Sequence, residues 1–187
     1  MIVICSQSGD NMKNSKLVEF FLEIGMLKKI KRSGWLRKKI PNPESVADHS
    51  FRTAIIAMIM GETLNIDVFK LVKMALIHDL AEVQSGDITP YDGIKKEKKR
   101  ILEEKALRQM LDGISSRQDL LDLWLEYEEQ KSKEAKILKN IDRLEMAISA
   151  LEYQKNYPQK DLSEFILEAE RQIDIPEIAE LLEEFKN

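Results

Sequence analysis

Two histidines in 187 residues are few enough that the surroundings of each can be weighed separately. His49 stands in ESVADHSFR and His78 in LIHDLAE, both apolar-rich runs, and Asp79 follows His78 directly. Glu82 comes one helical turn later, Gly86-Asp87 closes that stretch, and a further acid, Asp142, stands in KNIDRLE. Imidazoles and carboxylates brought together can hold a divalent cation, move a proton, or pair with a basic side chain. An unpaired carboxylate turned into an apolar interior costs several kcal/mol, so inward-facing acids need a proton, a cationic partner or a metal.

Spacing does turn these residues inward. Val72, Ala75 and Leu76 precede Asp79 at helical intervals, Leu71 and Ala75 precede His78 likewise, and Asp142 lies one turn from both Leu138 and Met146. Each residue alone has an ordinary reading. His49 would be a hydrogen-bonded core histidine, Asp79 a partner for Lys73, and Asp142 a partner for Lys139 or Arg143. Jointly, two histidines and two aspartates from three helices could surround one divalent ion. Spacing by itself leaves the two readings evenly matched.

The elements that must position these groups are legible from periodicity. Leu17, Phe20, Phe21, Ile24 and Leu27 predict an amphipathic helix from Ser15 to Ile30. The basic stretch KKIKRSGWLRKKIPNPE, broken by Gly34, Pro41 and Pro43, predicts a loop, and Trp35 predicts that it packs back on the body. Ser45, with Asp48 three residues on, predicts the capped start of a helix running to about Leu64. Asn65 and Asp67 separate it from a helix over 68–83 that is apolar on most faces and is expected at the centre of the bundle.

Beyond the turn SGDITPYDG, helices are expected over 94–112 and 118–130. A long one should begin at Ser132 and end before Pro158, and two more should begin at Ser163 and near Pro176. The run KKEKKR, residues 95–100, is read as the charged coat of an exposed helix, with the edge of an anion-attracting pocket as the lesser reading. The fold class is therefore all-α, a single bundle of about seven or eight helices. Residues 1–14 are expected to form a short N-terminal segment, loosely attached over 1–11, with the domain at 15–187.

Composition narrows the function. A net charge of -4 supplies no global positive field for a nucleic acid polymer or an anionic membrane surface. No apolar window approaches the roughly 20 residues of a membrane span, and MIVICSQSGD lacks the basic start of a signal peptide. The single cysteine, Cys5, suits a reducing compartment, so a cytoplasmic location is expected.

The order and local context of these motifs resemble the HD-domain phosphohydrolases, and KRSGW with PESVADH resembles their 5′-deoxynucleotidase branch; the likeness runs from about Ser15 to Asn156. The resemblance implies a helical bundle and one divalent transition metal (Co, Mn, Ni, Fe or Zn) held by His49, His78, Asp79 and Asp142. It implies that Glu82 and Asp87 handle the proton and orient water, and that Arg32 and Trp35 grip the phosphate and sugar of a nucleoside 5′-monophosphate. Lys139 matches a basic position of that branch, and a homodimer is implied. From the residues alone, Arg32 reads rather as a solvated charge and Trp35 as the anchor of its loop, while Lys139 reads equally as a solvated helix lysine. A nucleoside triphosphate hydrolase or cyclic nucleotide phosphodiesterase on the same scaffold, and a non-catalytic helical module, remain alternatives.

Overall fold

A computed structural model describes residues 7–187, with side chains from residue 14 onward. The helices are α1 (Gln7–Ile24), α2 (Ser33–Arg37), α3 (Val46–Thr63), α4 (Val68–Ile77), α5 (Glu82–Ser85), α6 (Lys96–Met110), α7 (Arg117–Glu128), α8 (Lys133–Asn156), α9 (Ser163–Gln172) and α10 (Pro176–Lys186). Short 3-10 turns occupy Gly25–Lys28 and Pro90–Asp92. Apart from α2 and α5, which are single turns, eight helices build an all-α bundle, as predicted. Among the described residues, extended pairing amounts to an isolated bridge between Lys31 and Ser45. No described helix is long and apolar enough to cross a membrane.

Local chemistry sets the helix starts. Asp48 Oδ2 accepts from the Ser45 backbone N–H at 2.8 Å and Ser45 Oγ accepts from the Asp48 N–H at 3.2 Å, a reciprocal cap that fixes where α3 begins. Asp67 caps α4 through the Lys70 N–H, and Ser132 caps α8 through the Ala135 N–H. α1 starts earlier than the predicted Ser15 and gives way to the 3-10 turn after Ile24, short of the predicted Ile30. The loosely attached start expected of residues 1–11 falls, over 1–6, outside the described residues.

The centre of the bundle is α8. Ala135, Leu138, Ile141, Leu144, Ala147 and Ala150 are all at most 1% exposed, and α8 packs against α3, α4, α7, α9 and α10. The expectation that the helix over 68–83 is central needs correction: α4 packs on α3, α7 and α8 but leaves Phe69 79% and Leu76 55% exposed. At ten residues α4 is too short to be enclosed on all sides, whereas 24 residues let α8 run through the whole interior.

That predicted helix is also not continuous. After Ile77 the bonding tightens to three-residue steps, with Leu80 N–H to Ile77 O at 3.1 Å, Glu82 N–H to Asp79 O at 3.0 Å and Val83 N–H to Leu80 O at 3.3 Å. In this 3-10-like geometry residues three apart eclipse one another. Glu82 is thereby aligned with Asp79 rather than with His78, the residue one α-helical turn before it. The tightening displaces the His78 carbonyl from the ladder, and the Trp124 indole N–H donates to it at 3.1 Å.

A second, smaller core of Trp35, Ile40, Met146, Ala150, Leu162 and Phe165 pins the basic loop to the body. Trp35 is 2% exposed, with its ring centroid 4.4 Å from that of Phe165 and 5.3 Å from that of Tyr153. The loop packs back as predicted.

Candidate metal centre

Three separate elements deliver the predicted ligands to one place. The capped start of α3 carries His49, the end of α4 carries His78 with Asp79 just beyond, and the middle of α8 carries Asp142. The two imidazole centroids are 5.5 Å apart. One ligand atom from each of His49, His78 and Asp79 lies within 4.8 Å of the others, which makes these three a site for a divalent metal. His49 Nε2 is 3.3 Å from Asp142 Oδ1 and 3.5 Å from Asp79 Oδ2, and His78 Nε2 is 3.2 Å from Asp79 Oδ2.

The hydrogen bonds of the rings decide which nitrogens face the centre. His78 Nδ1 donates to the Ala75 carbonyl at 2.7 Å, and His49 Nδ1 donates to Glu145 Oε2. A carbonyl can only accept, so the His78 proton sits on Nδ1 and Nε2 presents its lone pair. Both Nε2 atoms are buried without a hydrogen-bond partner. Two orphaned imidazole nitrogens beside two carboxylates fit a borderline to hard divalent ion such as Zn, Co or Mn, and do not fit a packed apolar core.

Electrostatics agree. Burial and the nearby Arg32 both oppose a charge on His49, yet Glu145 and Asp142 outweigh them and lift its pKa to about 10. A positive charge belongs at that nitrogen, as a proton or as a cation in its place. Asp79 and Asp142 stay well below the usual carboxylate range despite burial, held there mainly by His78 and Arg32 in one case and by Lys139 and His49 in the other. Glu82, 2% exposed, is driven the opposite way by burial and by the charges of Asp79 and Asp87.

The other predicted residues divide. Arg32 reaches the centre: its Nη1 is 3.4 Å from Asp79 Oδ2 and 3.7 Å from Asp87 Oδ1, so it is not a solvated charge. Asp87 accepts from the Ser33 N–H at 2.6 Å, tying the Arg32 segment to the chain beyond α5, where Gly86 turns at a φ of 72 that glycine adopts without strain. Glu82 Oε2 is buried with no hydrogen-bond partner. Lys139 Nζ lies 3.1 Å from Asp142 Oδ2 and donates to the Tyr127 hydroxyl at 3.0 Å. Trp35 does not open to solvent; its indole N–H donates to Glu44 at 2.7 Å inside the smaller core, as the anchor reading requires.

Several participants escaped the sequence reading. Glu145, fully buried, holds His49, and Tyr127 meets Asp142 Oδ2 at 3.3 Å. Within the run 95–100, Lys99 is only partly exposed: it pairs with Glu103 one turn along α6 at 3.4 Å and feels the charges of Glu82, Asp79 and Asp87, in keeping with the lesser reading that the run edges the pocket. Of these, Glu145 alone left a signal: it falls three residues after Asp142, between the apolar Leu144 and the run Met146-Ala147-Ile148.

The chain and its fold have counterparts among known proteins. The HD domain family profile matches residues 24–185. The chain is 39% identical over 175 residues to 5′-deoxynucleotidase HDDC2 of Mus musculus, covering 91% of this chain and 86% of that one. It is 42% identical over 150 residues to 5′-deoxynucleotidase HDDC2 of Dictyostelium discoideum, covering 75% and 79%. Among solved structures, a conserved hypothetical protein from Pyrococcus furiosus superposes with a TM-score of 0.77 at 36% identity, covering 90% of this chain and 98% of that one. With the family profile, these relatives and the shared helical frame agreeing, this chain belongs to the HD-domain phosphohydrolases, on the branch that holds its 5′-deoxynucleotidase relatives.

Proposed function

We propose that the protein hydrolyses deoxyribonucleoside 5′-monophosphates to deoxynucleoside and phosphate, using one divalent transition metal held by His49, His78, Asp79 and Asp142. The observation that carries this reading is the pair of buried, unpartnered Nε2 atoms facing two carboxylates, with an arginine at the same spot. When bound, the ion supplies Lewis acidity to the phosphoryl group and to the attacking water.

The chain's own residues do the rest. Arg32 offers its guanidinium fork to the phosphoryl oxygens, exchanging Asp79 and Asp87 for the substrate's charge. Glu82, buried and with a free oxygen, takes the proton from the attacking water, and Asp87 orients that water while holding Ser33 and Arg32 in place. Lys139 adds positive charge beside Asp142. Trp35 contributes by fixing the loop that carries Arg32, with the sugar seated against that loop.

The protein is expected to act in the cytoplasm and as a homodimer. Phe51, Ile55 and Ile59 form an exposed apolar stripe at four-residue spacing on α3, which suits self-association. Light scattering should return twice the 21.7 kDa chain mass. A monomer at micromolar concentration would remove the dimer.

The test of activity is inorganic phosphate release from a panel of deoxy- and ribonucleoside monophosphates with Co, Mn, Ni, Fe and Zn in turn, beside dATP and cyclic AMP. Turnover of deoxynucleoside monophosphates that His78→Ala abolishes is the expected result. Hydrolysis confined to dATP or cyclic AMP, or no hydrolysis with any metal, would refute the proposal.

A further inference from the structure

Behind the centre lies a polar chain that the reaction above does not use. Glu145 is 0% exposed and accepts from His49 Nδ1 with one oxygen, while Arg52 Nε donates to the other at 2.8 Å. The Ser149 hydroxyl stands 3.3 Å from Glu145 Oε1 and 3.1 Å from each oxygen of Glu44. Glu44 in turn receives the Trp35 indole N–H at 2.7 Å, and its backbone N–H donates to the Tyr153 hydroxyl at 2.8 Å.

A buried carboxylate is a poor device for stability alone, because desolvation offsets most of what its partners return. Its chemistry here is directional. A neutral imidazole has two tautomers, and only the one protonated on Nδ1 leaves the Nε2 lone pair aimed at Asp79 and Asp142. A carboxylate accepting from Nδ1 selects that tautomer, fixes the ring plane and makes Nε2 a better donor to a metal. Arg52, half-exposed on the same face of α3, keeps the carboxylate charged and pointed.

We infer that Glu145, held by Arg52 and Ser149, is the positioning residue of the metal centre, acting on the ion through His49, and that Glu44 links this support to the Trp35 loop. The inference rests on the metal-binding reading of His49 and His78. It makes metal affinity depend on residues that never touch the ion.

The experiment compares metal-free wild type, Glu145→Gln and Arg52→Met by Co(II) titration, following both calorimetric affinity and the visible Co(II) spectrum, with the melting temperature of each metal-free form as control. Glu145→Gln keeps the shape and should bind Co(II) about 10- to 100-fold more weakly, with an altered spectrum. Arg52→Met should weaken binding in the same direction by less, and covers the case in which Glu145→Gln does not fold. A purely structural role would lower the metal-free melting temperature and leave affinity and spectrum at wild-type values, which would overturn the inference. A wild type that binds no Co(II), Mn(II) or Zn(II) would instead overturn the metal-centre reading beneath it.

Discussion

At the scale of single residues, the site works by denying its polar atoms any partner but the ligand. His49 and His78 each spend one nitrogen on the protein and keep the other free. Arg32 sits at the same centre as a planar fork, a shape lysine cannot copy. Arg32→Lys is expected to lower kcat/KM for dAMP about 10- to 100-fold, the range of one or two lost hydrogen bonds to a charged group; an unchanged value would remove Arg32 from the phosphate.

Glu103 allows a pH test at the same scale. It is 6% exposed, and burial lifts its pKa to about 7 against the pull of Lys99. Its unfolded value is about 4.3, so between about pH 4.5 and 7 the folded state holds more protons and stability falls as pH rises. Glu103→Gln removes that slope. In urea melts of metal-free protein the variant should gain on wild type from pH 5 to pH 8, by on the order of 1–3 kcal/mol. A constant difference across that range would show that Glu103 ionises normally.

At the scale of elements, the decisive feature is the break between α4 and α5. An unbroken helix would align Glu82 with His78; the tighter turn aligns it with Asp79 and frees the His78 carbonyl for Trp124. Trp124→Phe leaves that carbonyl buried without a donor, at a cost of about 1–3 kcal/mol beyond the small loss of packing. Urea denaturation would measure it, and a change below about 0.5 kcal/mol, the lower bound for a net hydrogen bond, would mean that the break does not depend on the indole. The break was invisible beforehand because VFKLVKMALIHDLAEV contains no glycine or proline to mark it. The Ser45 cap, by contrast, was legible, since its partner Asp48 is three residues away on the same chain.

At the scale of the molecule, Asp79 from the turn after α4, Glu82 from α5 and Asp142 from α8 converge on the two unpartnered imidazole nitrogens, a set that a divalent ion completes. A chelator should therefore destabilise the protein. With the ion at about 100 times its Kd, binding contributes about 2.7 kcal/mol, which corresponds to roughly 5–10 °C in Tm for a chain of this size. Calorimetry with and without EDTA measures the shift, and identical transitions would show that no ion is held.

What the sequence determined by itself is what depends on neighbours along the chain: the helical class, the caps at Ser45 and Ser132, and the histidine and aspartate motifs whose order marks the family. Tertiary structure alone decided what depends on distant partners. It made α8 rather than α4 the axis of the bundle, chose Phe165 and Tyr153 as the partners of Trp35, and set Glu145 behind His49. The reason is range: periodicity and capping act within a turn or two of helix, whereas the burial of a side chain depends on helices tens of residues away whose packing no local pattern records.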